Sequence, residues 1–299
     1  MKRNPVLIVL GTAAALGLLF VFFLALASLL TGNRGSSSSL PGVGSDKVAL
    51  VKIEGLLVTS ENVVEELNDY AEDGSIKAIV LRIDSPGGGV VASQEIYNAV
   101  KNARKAGKKV VVSMGSVAAS GGYYIAAAAD KIVANPGTLT GSIGVIMEFA
   151  SVEKLLEKIG VKGMVVKAGQ YKDIGSPFRD MTDQEKKLLQ GVIDDVHAQF
   201  IDAVAEGRNL PAAEVKAIAD GRIFTGRQAL ALKLVDRTGD LTESIKLAGT
   251  LAGIKGKPRI VEKKKKIPFL DYLREESVSW IGDVMTRGLS RNTVSLQYR

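Results

Sequence analysis

Lys109–Asp130, KVVVSMGSVAASGGYYIAAAAD, runs from an apolar strand into a small-residue helix through one serine. Val110 to Met114 predicts a buried strand, and Ile125 to Asp130 predicts a helix. Ser120 falls at the turn between them and is followed at once by Gly121 and Gly122. A serine at a strand-to-helix turn presents its hydroxyl beside backbone N–H groups that no carbonyl has yet claimed. Ser120 is therefore the candidate nucleophile. The chain has no cysteine and a single histidine, so its activation calls for something other than the usual imidazole.

Working outward, Val48 to Ile53 and Ala78 to Ile83 predict two further strands, with a helix from Glu61 to Ala71 between them. The turn-rich run Asp84-Ser85-Pro86-Gly87-Gly88-Gly89 leads to a helix from about Ser93 to Lys105. Strands alternating with helices at this spacing predict a parallel α/β sheet built from right-handed crossovers. Short strands are expected at Lys131–Ala134 and Met164–Lys167. Thr182 to Glu206 predicts a long amphipathic helix whose Leu188, Leu189, Val192, Ile193 and Val196 space as a core face. Two or three more helices are expected within 211–253.

Val6 to Leu30 form 25 consecutive positions without a charge or a proline. At about 1.5 Å per helical residue that exceeds a bilayer core of about 30 Å, which predicts a transmembrane helix. A signal peptide has a shorter apolar region, of about 7–15 residues, although Ala25-Leu26-Ala27 resembles a cleavage site. Lys2 and Arg3 precede the segment and only Arg34 follows closely. The positive-inside rule then puts the N-terminus in the cytoplasm and the rest outside it. Gly, Ser and Pro between Thr31 and Gly44 predict a flexible tether.

The formal net charge of +7 is unevenly spread: +3 lies in the first 34 residues and +6 in 254–299, which leaves −2 for 35–253. A near-neutral body gives nucleic acid no electrostatic footing as a partner. The block Lys263–Lys266 suits anionic lipid or a solvated linker. Leu270, Leu273, Val278, Ile281, Val284 and Met285 lie near helical spacing. They fit a helix on a membrane, in a partner's groove, or packed on the body.

Elimination narrows the chemistry. His197, the lone histidine, lies in the predicted long helix among Val192, Ile193, Phe200 and Ile201, where a structural role is expected. Neither a histidine triad nor a His/Cys metal site fits, and no metal or cofactor is expected. A lysine of lowered pKa remains as base. Lys172, in the loop Gly169-Gln170-Tyr171-Lys172-Asp173-Ile174-Gly175-Ser176-Pro177, differs from the surface runs, though locally it reads as an exposed loop lysine. Gly121 and the Pro86–Gly89 loop are candidates for two oxyanion donors, each worth about 3–4 kcal/mol at a transition state.

The Asp-Ser-Pro-Gly-Gly loop, Ala-Ser-Gly-Gly-Tyr-Tyr, Leu139-Thr-Gly-Ser-Ile-Gly-Val145, Tyr-Lys-Asp-x-x-Ser-Pro and Asp220-Gly-Arg-Ile-Phe-Thr-Gly226 occur in this order. Together, over about 46–253, they resemble the signal peptide peptidase A (protease IV) family in its short, single-repeat form. The resemblance implies a crotonase/Clp-protease-like fold of repeated ββα units and a Ser–Lys dyad. Ser120 would be the nucleophile and Lys172 the general base and acid. Ser142 would hold the lysine amine, and Gly121 with Gly87 or Gly88 would form the oxyanion hole. It also implies peptide substrates, namely released signal peptides, and a homo-oligomeric ring in which serine and lysine can come from adjacent protomers. The expected order is a cytoplasmic N-terminus (1–5), anchor (6–30), linker (31–45), extracytoplasmic peptidase domain (46–253) and basic tail (254–299). Two other readings accompany it: an acyl-CoA hydratase or isomerase on the same fold, and a non-enzymatic membrane-tethered scaffold.

Overall fold

Alternation along three central strands sorts their side chains onto two buried faces. The computed structural model describes residues 46–263. In β1 (Lys47–Glu54), β2 (Ile76–Ser85) and β3 (Lys109–Ala119), Ala49, Val51, Ile53, Ile79, Leu81, Ile83, Val110, Val112 and Met114 join one cluster. Val48, Leu50, Ala78, Val80 and Val111 join the other. A sheet apolar on both faces needs cover on both, which is the condition of a parallel α/β sheet. Helices α1 (Glu61–Glu72), α2 (Val90–Lys105) and α3 (Gly121–Ala127) contribute to the first cluster.

β1, β2 and β3 pair in parallel, as the crossover helices require. β3 then divides its far edge. Val111–Ser113 pair with β4 (Lys131–Ala134), and Val117–Ala119 pair with β5 (Leu139–Gly141). The division is made at a bulge: Ile83 faces Met114, yet Ser85 faces Ala118. Gly115 sits there because a Cβ would come within 2.6 Å of the Asp84 carboxyl carbon, while Asp84 Oδ1 accepts from Val117 N–H at 3.0 Å. The bulge re-aims the end of β3, as such irregularities do near active sites.

A short helix, α4 (Glu153–Lys158), interrupts the loop that leads to α5 (Asp183–Arg208). Thr182 and Glu185 start α5 with a reciprocal capping box. Beyond it come α6 (Ala212–Ile218), β6 (Ile223–Thr225, antiparallel to β5), α7 (Gly226–Ala231), β7 (Arg237–Thr238, beside β4) and α8 (Leu241–Leu251). Ala248 of α8 covers the second face of the sheet. β8 (Arg259–Val261) adds an edge strand beside β1, from residues the sequence assigns to the tail. Lys263 then pairs with Glu65 and Asp69 of α1.

Two expectations fail. Met164–Lys167 forms no strand; it is an unpaired loop in which Met164 is 93% exposed. The buried residues of α5 are not the expected Leu188–Val196 set but Glu185, Phe200, Ile201, Ala203 and Val204. Leu188 and Val192 are exposed, so the first half of α5 carries apolar side chains that none of the described residues covers. Among the described residues no helix is long and apolar enough to cross a membrane, and the anchor expected at 6–30 lies outside them. The helix expected in the tail beyond Lys263 lies outside them too.

α5 is fixed to α3 by close backbone approach. A Cβ on Gly207 would stand 1.9 Å from the Ala127 carbonyl oxygen. Gly207→Ala gains about 1 kcal/mol of helix propensity, but overpacking of this kind costs about 1–3 kcal/mol or more. The variant is expected to unfold at lower urea concentration than the parent, with the m-value unchanged.

Candidate active site

Ser120 closes β3 and caps α3 with φ 51° and ψ −121°, a conformation that L-residues rarely adopt. Such a position costs about 1–3 kcal/mol and persists only when neighbours enforce it. Here Ser120 N–H donates to the Gly141 carbonyl at 2.9 Å, and its own carbonyl accepts from Tyr124 N–H at 2.8 Å. Ser142 is also left-handed (φ 51°), and its N–H donates to the Arg222 carbonyl at 2.9 Å. The two serines thus follow the ends of the paired strands β3 and β5, which the Ser120 N–H to Gly141 O bond ties together.

Gly87 and Gly88 form a loop pressed onto this turn. A Cβ on Gly87, at φ 100°, would meet Gly121 N at 2.6 Å and Ser120 Cβ at 2.9 Å. Gly88, at φ 153°, is crowded by Leu57, whose N–H donates to Gly87 O at 2.8 Å and whose carbonyl accepts from Gly89 N–H at 2.7 Å. Gly87 N–H is already committed to Ser85 Oγ at 3.1 Å. Among the described residues Gly88 N–H has no acceptor, and neither has Gly121 N–H, the first of its helix.

Ser120, Gly121, Gly87, Gly88 and Ser142 all line one cavity of about 600 Å³. Leu56, Val90 and Ile146 bring exposed apolar surface to it, and Tyr124 packs at a tilt of 54° against Phe200, 5.0 Å between ring centroids. Sequence reasoning missed the α5 side of the cavity, where Gln190, Ile193, Asp194, Val196 and His197 sit. His197 Nε2 is buried and has no hydrogen-bond partner among the described residues, so it is not bonded to Ser120. Ser85 was also missed. Its place before Pro86-Gly87 in the glycine-rich loop was the available signal.

Lys172 does not line this cavity. It is exposed in a series of turns between α4 and α5, where Lys172 N–H donates to Gly169 O at 3.2 Å and Ile174 N–H to Tyr171 O at 3.1 Å. Beside it, Asp173 takes two hydrogen bonds from Arg179, at 2.9 Å each, and one from Lys167. Hydrogen bonds from Arg179 and Lys167 hold the Asp173 carboxyl well below the usual carboxylate range. Arg179 and Thr182 do the same for Glu185, at about 2. These carboxylates stay ionised throughout the neutral range.

A serine hydrolase on a parallel α/β sheet is the class that this elbow and its paired glycine loop define. The chain matches the model of Peptidase family S49 over residues 102–255 and that of Clp protease over 57–138. It is 48% identical over 210 residues to "Putative protease slr0021" of Synechocystis sp., covering 70% of this chain and 75% of that one. It is 35% identical over 230 residues to "Serine protease SPPA, chloroplastic" of Arabidopsis thaliana, covering 75% of this chain but 34% of that one. It is 40% identical to "Protease 4" of Salmonella typhi over 198 residues, 66% of this chain and 32% of that one. The solved structure of a 1510-N membrane-bound stomatin-specific protease variant shares the fold, with TM-score 0.50 and 16% identity over 75% of this chain and all of that one. The chain belongs to peptidase family S49, the signal peptide peptidase A family, and is a serine peptidase. The acyl-CoA and non-enzymatic readings give way to that assignment.

Proposed function

We infer that this chain is a membrane-anchored serine endopeptidase that degrades released signal peptides through a Ser120–Lys172 dyad. The observation that carries the reading is the strained Ser120 turn at a cavity lined also by Gly121 and Gly88, whose N–H groups have no acceptor among the described residues. Apolar residues at that cavity suit apolar peptides, and the apolar run 6–30 suits an enzyme that meets them at a bilayer. The catalytic body would then lie outside the cytoplasm, against the lipid that Lys2 and Arg3 orient.

Neutral Lys172 Nζ removes the proton from Ser120 Oγ as that oxygen attacks the scissile carbonyl carbon. Negative charge develops on the carbonyl oxygen, and the N–H groups of Gly121 and Gly88 receive it. Gly88 is favoured over Gly87 because the Gly87 donor is already spent on Ser85. The Lys172 ammonium returns its proton to the leaving nitrogen as the C–N bond breaks, leaving an ester on Ser120. Water gives a proton to the same amine as its oxygen attacks the ester carbon, and the ammonium then passes that proton to Ser120 Oγ as the ester C–O bond breaks, which releases the acid and restores the neutral amine. Ser142, which follows the Gly141 carbonyl that accepts from Ser120 N–H and lines the same cavity, is suited to accept from or donate to the amine.

The exposure of Lys172 favours delivery to Ser120 of a second copy. Its loop is flanked by exposed Ile146, Phe149, Met164 and Phe178, and the bare stripe of α5 adds Leu188 and Val192. Exposed apolar side chains in such number suit a protein–protein contact. A closed homo-oligomeric ring satisfies every copy of such a head-to-tail contact.

Fluorophosphonate labelling of the full chain, followed by peptide mapping, tests the proposal. One adduct is expected, on Ser120; labelling elsewhere with Ser120 unmodified would overturn it. His197→Ala is expected to keep kcat within about threefold, since proton transfer by a general base is worth about 10²–10⁴-fold. A loss of that larger size in steady-state hydrolysis would make the imidazole, not Lys172, the base.

A further inference from the structure

The loop from Ser142 to Thr182 holds Lys172 with little regular backbone. It contains six-residue α4 and no strand, so its shape rests on turns and side chains. Arg179 is the centre of that side-chain network. Its Nε and Nη2 donate to Asp173 Oδ2 and Oδ1, its Nη1 donates to Glu185 Oε2 at 2.9 Å and to Asp180 O at 3.1 Å, and Nη2 also reaches Glu185 Oε1. All five N–H donors of the guanidinium are used. One carboxylate belongs to the residue after Lys172. The other is buried at the capping box of α5, where it accepts from Thr182 N–H at 2.9 Å.

We propose that Arg179 is the positioning residue for Lys172, pinning the lysine-bearing turn to the first turn of α5 by bridging Asp173 and Glu185. The inference rests on Lys172 being the base. A planar fork holds each carboxylate through paired N–H bonds and so fixes their relative orientation, which an ammonium acting as a point charge does not. The anchor point is well chosen: α5 is fixed at its far end to the nucleophile's helix by Gly207. Lys167, which also binds Asp173, braces the turn from the other side. Ser176 N–H donates to Asp173 O at 3.0 Å, so the residue that Arg179 holds also organises the turn after it.

The test compares Arg179→Gln and Arg179→Lys, each with Lys172 intact and in a Lys172→Ala background, using an activated peptide ester that reports residual turnover. With Lys172 present, Arg179→Gln is expected to lower kcat by about 10- to 100-fold, the effect of misplacing a reacting group by about 1 Å, with KM within twofold. Arg179→Lys is expected to recover little of that loss. In the Lys172→Ala background the same substitution should cost nothing further, because only lysine placement was lost. Wild-type kcat in Arg179→Gln, or an equal fractional loss in both backgrounds, would overturn the role. Wild-type turnover by Lys172→Ala alone would instead overturn the reading of the base. Should Arg179→Gln fail to fold, Asp173→Asn removes the anchor at nearly constant shape and is expected to give the same kcat loss and the same background dependence.

Discussion

Ser120→Ala is expected to lower peptide hydrolysis by about 10⁴- to 10⁶-fold, the range seen when the nucleophile of a serine hydrolase is removed. The substitution is clean for a structural reason. Alanine keeps the Cβ, so the strain at φ 51° and the hydrogen bonds to Gly141 and from Tyr124 remain as they were. Only the oxygen is lost. The variant should melt with the parent and bind substrate peptide as well, while fluorophosphonate labelling disappears. Hydrolysis at the parental rate would remove Ser120 from the mechanism.

Lys172→Ala is expected to lower hydrolysis by about 10²- to 10⁴-fold, the worth of a general base, and its pairing with Ser120→Ala distinguishes two architectures. Each variant alone should be nearly inactive. If every site takes serine from one chain and lysine from its neighbour, co-refolding equal amounts of the two variants restores about a quarter of the sites, the chance that each contributes its intact half across a head-to-tail contact. If both groups come from one chain, no mixed assembly has a complete site and activity stays at background. Lys172 lies off the cavity of its own chain, which favours the first outcome.

The sheet was legible because its strands carry their own evidence. Val110 to Met114 and Ala78 to Ile83 are apolar but for Ser113 and Arg82, and a parallel sheet covered on both faces accepts such near-continuous runs. The elbow was legible from Ser120, Gly121 and Gly122. The choice between Gly87 and Gly88 was not, since it depends on where Ser85 Oγ points. Leu188 to Val196 misled for a related reason. Periodicity reveals an apolar face but not what covers it, and here part of the stripe borders the cavity and part is left exposed by the described residues. Met164 to Lys167 misled because β-branched residues favour strands only where a partner edge exists. Lys172 was singled out by family motif; its local sequence describes the exposed loop that the structure contains.

The bridge between Leu57 and Gly88 separates two properties of the enzyme. It is made by main-chain atoms alone: Leu57 N–H to Gly87 O, and Gly89 N–H to Leu57 O. Leu56, the preceding residue, turns an exposed side chain to the same cavity. Taste and turnover are therefore written in different alphabets. On the function proposed above, a substitution at residue 56 is expected to change which peptides fit, while the peptide bonds that set the glycine loop keep their register.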